Sequence, residues 1–123
     1  MEWTPIVDMA YDCSISLGTA TTTCVATIQL KDYAGNDLDV RGVVDCYISS
    51  DDNGDEVSTV TSIVIATDGD ILTIESTKAY KLISEDDGDI GLTIDGTGAN
   101  SRYLNVVLPN GKIVTSSVIT FTA

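Results

Sequence analysis

The feature that most constrains the fold is the stretch from Tyr103 to Phe121. Leu104, Val106 and Leu108 alternate with Tyr103, Asn105 and Val107, and after Leu108-Pro109-Asn110-Gly111 a second apolar run follows through Ile113-Val114 and Val118-Ile119-Thr120-Phe121. Alternation at period two means that one face of an extended strand is buried. Pro109 presets the φ of a turn's first central residue, and Gly111 accepts the left-handed conformation that closes it. Two strands around such a turn make a hairpin, and a hairpin this apolar needs a second apolar sheet face to pack against. Ile113, Ile119 and Phe121 share one parity while Val114 and Val118 share the other, so a bulge is expected near Ser116-Ser117.

The rest of the chain supplies that face. At 123 residues with 43% hydrophobic content, a core can form without metals or disulfides. Val, Ile and Thr dominate, and the single Phe and single Trp make the core aliphatic. Short strand patterns recur. They run from Tyr11 to Leu17, with Cys13, Ile15 and Leu17 on one side; from Cys24 to Lys31, with Cys24, Ala26, Ile28 and Leu30 inward; and from Val43 to Ile48, with Val44, Cys46 and Ile48 inward. Val57 to Ala66 reads as one strand or two, followed by Ile71–Ile74, by Tyr80 and Leu82, and by Ile90, Leu92 and Ile94. Gly-, Asn- and Asp-rich turns separate them every eight to twelve residues, and no helical period of useful length occurs. The pattern predicts an all-β, two-sheet antiparallel sandwich of about seven to nine strands over residues 11–123, preceded by an arm or edge strand over residues 1–10.

Charge excludes several function classes. The formal net charge is −13, and the six basic residues, Lys31, Arg41, Lys78, Lys81, Arg102 and Lys112, are scattered. Nucleic acid and anionic membrane surfaces would both repel such a chain. The segment from Met1 to Pro5 has neither a basic nor an apolar signal region, and no run approaches a membrane span. Cys13, Cys24 and Cys46 are expected to be reduced thiols, with Cys24 and Cys46 buried, although a Cys13–Cys24 disulfide leaving Cys46 odd is an alternative.

Lys31-Asp32-Tyr33-Ala34-Gly35-Asn36-Asp37-Leu38 resembles the strand-turn segment of bacterial immunoglobulin-like domains of the invasin/intimin type, and Ala66-Thr67-Asp68-Gly69 is similar to their Thr-Asp turn. Ala79–Glu85, Gly88-Asp89-Ile90 and Val107-Leu108-Pro109-Asn110-Gly111-Lys112-Ile113-Val114 resemble small acidic immunoglobulin-like proteins of tailed-phage virions. The resemblance spans residues 24–121. It implies an immunoglobulin-like sandwich on a virion assembled in the host cytoplasm, decorating or cementing the capsid by binding the major capsid protein, with homo-oligomers on the particle as one arrangement. It implies no catalysis and no cofactor. The alternative within it is a tail-borne adhesion module that binds a host surface glycan or protein.

Chemistry-bearing constellations are few. With no histidine in the chain, Ser-His-Asp, Cys-His and His-based zinc sites are excluded. The cysteine spacings match no zinc or haem signature. Asp51, Asn53 and Asp55 have the one-three-five spacing of a calcium loop, and Glu85, Asp87 and Asp89 repeat it, but Glu56 and Ile90 stand where that loop needs Gly. Solvated strand connections are the competing reading. Trp3, with Pro5, Ile6 and Val7, is the partner-docking candidate, since an aromatic ahead of the core pattern can anchor an interface. The alternative is that Trp3 folds back to cap the domain's own core. Tyr80 is read as core, and Tyr47 and Tyr103 as outward.

Overall fold

The most regular alternation in the chain becomes the centre of a sheet. In strand β2 (Thr23–Lys31), Cys24, Ala26, Ile28 and Leu30 are buried while Thr23, Val25 and Thr27 are exposed. The structure is a computed structural model and describes residues 9–122. Strand β1 (Asp12–Leu17) pairs with β2 from Asp12↔Lys31 to Leu17↔Ala26. On the other side of β2 lies β7 (Asp89–Asp95), and beyond it β4 (Ser62–Ile65), so this sheet has the order β1-β2-β7-β4. The second sheet is built on β3 (Val43–Ser49), flanked by β6 (Ala79–Ile83) with β5 (Asp70–Glu75) outside it, and by β8 (Ser101–Val107) on the other side. Strands β9 (Ile113–Thr115) and β10 (Ile119–Thr120) both pair with β8. Every pairing is antiparallel, and no helix occurs among the described residues.

The two inner faces form one core. Ile28, Leu30, Ile90, Leu92 and Ile94 of the first sheet meet Ile48, Leu82, Leu104, Val106 and Ile119 of the second. Burying each such aliphatic side chain stabilises the fold by roughly 1.5–3 kcal/mol. Tyr80 is in this core, and Cys13, Cys24 and Cys46 are buried free thiols rather than a disulfide. The turn after β2 explains its own residues. The Asp32 carboxylate accepts the amides of Ala34 (2.9 Å) and Asn36 (3.0 Å), Gly35 sits at φ 85°, and Leu38 returns to the core.

The closing hairpin forms as its sequence predicts, with Gly111 at φ 88° and its amide donating to the Leu108 carbonyl at 2.9 Å. The bulge also appears. Val107↔Ile113 and Asn105↔Thr115 share one register, whereas Arg102↔Ile119 and Ser101↔Thr120 are offset from it by one residue. At the offset, the Ser116 amide donates to the Leu104 carbonyl (2.8 Å) and its hydroxyl accepts the Leu104 amide (3.0 Å). Val114 therefore packs inward before the bulge, and Ile119 and Phe121 pack inward after it. Because β9 and β10 are one strand interrupted, the ten strands among the described residues amount to nine plus a bulge.

The structure refines the reading of the chain at three places. Of Val57–Ala66 only Ser62–Ile65 is a strand. The residues before it run across the end of the second sheet, where the Ser58 amide donates to Ile48 and the Val60 amide to Thr77, and Val60 enters the core. Asn105 points away from the sandwich core, as its parity requires, yet it is fully buried. The connection Ser50–Glu56 covers it, so this acidic loop is not a free solvated excursion. Ala10, just ahead of β1, is packed in the core at 1% exposure.

Candidate functional site

The acidic loop is held by a small polar network. The Asn105 amide nitrogen donates to the Ser49 hydroxyl (2.9 Å) and the Tyr47 carbonyl (3.3 Å), and its oxygen accepts the Thr115 hydroxyl (2.7 Å). Above it, the Tyr47 hydroxyl donates to the Gly54 carbonyl at 2.6 Å. Gly54 has φ 74°, and a Cβ there would lie 2.7 Å from the Asn105 oxygen and 2.8 Å from the Tyr47 hydroxyl, so only glycine lets the loop lie this close. Tyr47 is consequently half-buried, not a free outward ring, and burial is the main cause that pushes its hydroxyl pKa up.

This loop holds the calcium candidates. Asp51 and Asp55 lie close enough that a hydrogen bond forms between their carboxyl groups when one of them is protonated. That bond lowers the Asp51 pKa, and the same bond together with the Asp51 charge raises that of Asp55. Asp51 also accepts the Glu56 amide at 3.1 Å, and Asn53 is exposed. Among the described residues, no three acidic or thiol side chains are grouped so that they could hold a metal ion. Glu85, Asp87 and Asp89 likewise do not converge as a set. The Glu85 backbone pairs with Asp89, and the Asp87 carboxylate accepts the Asp89 amide at 3.2 Å.

The thiols offer no nucleophile. Burial pushes Cys13 and Cys46 up to about 12 and also raises Cys24, so the thiolate form is suppressed.

What the fold does organise is charge. The turns 32–42, 66–69 and 84–88 lie at one end of the sandwich, tied together by bonds such as Ser84 amide to Gly42 carbonyl (2.9 Å), Gln29 side-chain amide to Asp87 carbonyl (2.9 Å) and Gly91 amide to Asp68 carbonyl (3.0 Å). Asp89 registers their convergence. Its pKa is raised first by partial burial and then by Asp87, Asp68 and Asp37, one carboxylate from each turn. Tyr33, 67% exposed, stacks edge-on against Tyr11 at this end, with ring centroids 6.2 Å apart. The Lys112–Asp12 ion pair (3.1 Å) and the Asn110 side-chain bond to the Tyr11 carbonyl (3.2 Å) close the two sheets there.

At the opposite end, one corner carries no charge. Residues 13–30, 96–101 and 113–122 contain no Asp, Glu, Lys or Arg. The fold gathers their ends together: the Gly96 amide donates to Thr22 (3.0 Å), the Thr122 amide to Thr21 (2.9 Å) and the Phe121 amide to Asn100 (2.9 Å). Phe121 lies over Gly96 so closely that a Cβ there would come within 2.5 Å of its ring. The corner presents Thr19, Ala20, Thr21, Thr97, Ala99 and Val118, flanked by Asp95 and Arg102. No single motif announced this corner. The signal was present as long uncharged stretches in a strongly acidic chain, but only the strand order brings them together. Trp3, Pro5, Ile6 and Val7, the docking residues expected from sequence, lie outside the described residues.

No protein-family profile matches the chain, and no curated protein sequence does. Solved structures do. A cohesin module from the family 33 glycoside hydrolase of Clostridium perfringens ATCC13124 is similar over 92% of this chain and 97% of its own, with 11% identity and a TM-score of 0.50. Domains 4 and 5 of the S-layer protein SbsC align with 93% of this chain at 12% identity and a TM-score of 0.47, and the chain spans about half of that structure, 53%. At such identities the likeness shows the fold alone, and that fold is an immunoglobulin-like β-sandwich.

Proposed function

We propose that the protein is a non-catalytic virion component that decorates a phage capsid, docking on the major capsid protein through its neutral corner and holding its carboxylate end to solvent. The observation that carries the reading is the segregation of charge. A chain of net charge −13 keeps one corner free of charged groups, and that corner is where the association of an acidic module with a shell meets least electrostatic resistance. Buried thiols, the absence of histidine and carboxylates spent on turn amides support a structural role over a catalytic one. The resemblance of the second half of the chain to small acidic phage proteins points the same way.

Charge variants test it. Purified protein is added to particles lacking it and sedimented. Thr21→Glu or Ala99→Glu, both at exposed or half-exposed positions of the neutral corner, is expected to abolish co-sedimentation. Asp86→Lys at the other end is expected to leave it intact. The reverse pattern refutes the docking orientation. A second reading, a tail-borne adhesion module, is favoured by one feature, the Tyr11–Tyr33 pair among the carboxylate turns, because an exposed aromatic in a loop cluster can stack on a glycan ring. Glycan binding lost on Tyr33→Ala, with no binding to heads, would establish that reading instead.

A further inference from the structure

The second sheet ends at β5, which among the described residues pairs with β6 alone. The hydrogen-bond pattern decides which backbone groups that leaves over. The Ser84 amide donates to the Gly42 carbonyl (2.9 Å) and the Ile48 amide to the Lys78 carbonyl (3.0 Å). Bonding alternates along an antiparallel ladder, so Leu82 and Tyr80 also turn their backbone groups to β3, while Ile83, Lys81 and Ala79 turn theirs to β5. Asp70 and Leu72, opposite Ile83 and Lys81, therefore bond to β6, and Ile71 and Thr73 carry their N–H and C=O on the open edge. On the outer face beside them, Leu72 and Ile74 are 55% and 59% exposed. Neither a charge nor a proline lies between Asp70 and Glu75, and residues 57–66, which lead into and form the neighbouring edge strand β4, are uncharged as well. An unblocked, apolar edge of this kind is a template for a further strand.

We propose that the added strand is β5 of a second copy of this chain, antiparallel about a two-fold axis at Leu72, which joins the two second sheets into one. This axis makes the most of the groups on the edge. It sets Ile71 opposite Thr73 of the second copy, twice, and each pair exchanges both its bonds. Leu72 meets its own copy at a position without hydrogen bonds, where side chains lie closest, and Asp70 falls opposite Ile74. An axis at Thr73 instead puts Ile71 opposite Glu75, whose backbone the irregularity between Thr73 and Glu75 turns to β6. An axis at Ile71 pairs Thr73 with Gly69, in the turn, and one between Leu72 and Thr73 sets Asp70 against Glu75 as like charges.

Charge is locally complementary in spite of the net −13. Two of the six basic residues stand at this edge: Lys81 is the cross-strand neighbour of Leu72, and Lys78 pairs with Glu75 at 3.4 Å. The axis at Leu72 brings Asp68 level with the second copy's turn 76–78, and so towards its Lys78. Because the contact is isologous, it uses up both β5 edges and closes at a dimer. The neutral corner is reached from β8 and β10, at the far side of the second sheet, so dimerisation leaves it free and the inference does not depend on the docking reading.

Sedimentation equilibrium of the full-length protein is expected to give a mass that rises with concentration towards twice that of one chain, and rises further when salt screens the net charge. Thr73→Pro removes an N–H that faces the open edge and no bond to β6, so the variant should keep its circular dichroism and remain monomeric. Leu72→Cys places two thiols across the axis at a Cα separation of about 4.5 Å, within disulfide reach, whereas the native cysteines are buried. Mild oxidation should link Leu72→Cys into dimers and leave Ile74→Cys unlinked, a comparison that decides the matter should Thr73→Pro fail to fold. A wild-type monomer at every concentration and salt would overturn the proposal, whatever else adds to the edge. So would a folded Thr73→Pro variant that still dimerises, or Ile74→Cys linking as readily as Leu72→Cys. None of these readouts involves particle binding, so failure here and failure of the docking reading are separable.

Discussion

Replacing Asn105 by Ala tests whether the acidic loop is part of the folded structure. Asn105 is fully buried under Gly54 and makes three side-chain hydrogen bonds, to Ser49, Tyr47 and Thr115. Each contributes on the order of 1 kcal/mol net, and the Thr115 hydroxyl, part-buried, loses its acceptor. The Ser49 hydroxyl is better off, because it already donates to the Asp51 carbonyl at 2.8 Å. The expected loss is therefore about 2–3 kcal/mol, read as a lower midpoint in urea with little change in slope, and as a fall in Tm of roughly 10 °C for a domain this size. Asn105→Asp keeps the acceptor for Thr115 but removes both donated bonds and buries a carboxylate near Asp51 and Asp55. It should be the more damaging variant at pH 7 and recover part of its loss in acid, as the new carboxyl takes up a proton and regains a donor. An Asn105→Ala variant within about 0.5 kcal/mol of wild type would show that the loop does not cover this face in solution.

Two further outcomes follow from the same geometry. Deleting Ser116 removes the extra residue of the bulge without changing either flanking register, so Ile119 and Phe121 should still face inward; circular dichroism and urea denaturation should show a folded domain weakened by about 1–2 kcal/mol for the lost Leu104–Ser116 contacts, and complete unfolding would contradict the bulge. Asp89 has a folded-state pKa raised above its unfolded value of about 3.8, so the folded state binds its proton more tightly and stability falls as pH rises through the raised pKa. Asp89→Asn should therefore raise Tm at pH 7 by an amount worth at most about 1 kcal/mol after solvent screening, with the gain vanishing towards pH 3–4; an unchanged or lower Tm at pH 7 would contradict the convergence of Asp37, Asp68 and Asp87 on it.

Much of the fold was legible because the inner faces of β2, β3 and β7 alternate without interruption. Cys24 through Leu30, Val44 through Ile48 and Ile90 through Ile94 are buried at every expected position. The bulge at Ser116 was legible too, because a change of parity between Val114 and Ile119 has no other local remedy. Asn105 was not. Its outward parity is correct, and only a segment some fifty residues away, Asp51–Glu56, decides that outward means buried. The sole local trace of that cover is Gly54, which looks like any glycine in an Asn-Gly turn until Asn105 and Tyr47 are placed beneath it. Val57–Ala66 was misread for a related reason. Its β-branched residues fit a strand, but Val60 is drawn across the sheet end by the Thr77 carbonyl before β4 begins. The neutral corner required topology, since residues 13–30, 96–101 and 113–122 become neighbours only when β1, β7, β8 and β10 are set in order.

The most direct measurement of the central claim is amide hydrogen exchange of the protein free and bound to particles that lack it. Docking through the neutral corner predicts slowed exchange in 18–22, 96–100 and 116–122 on the particle, with 32–42, 66–69 and 84–88 exchanging as in the free protein. Protection confined to the carboxylate turns, or exchange identical in the two samples, would contradict it.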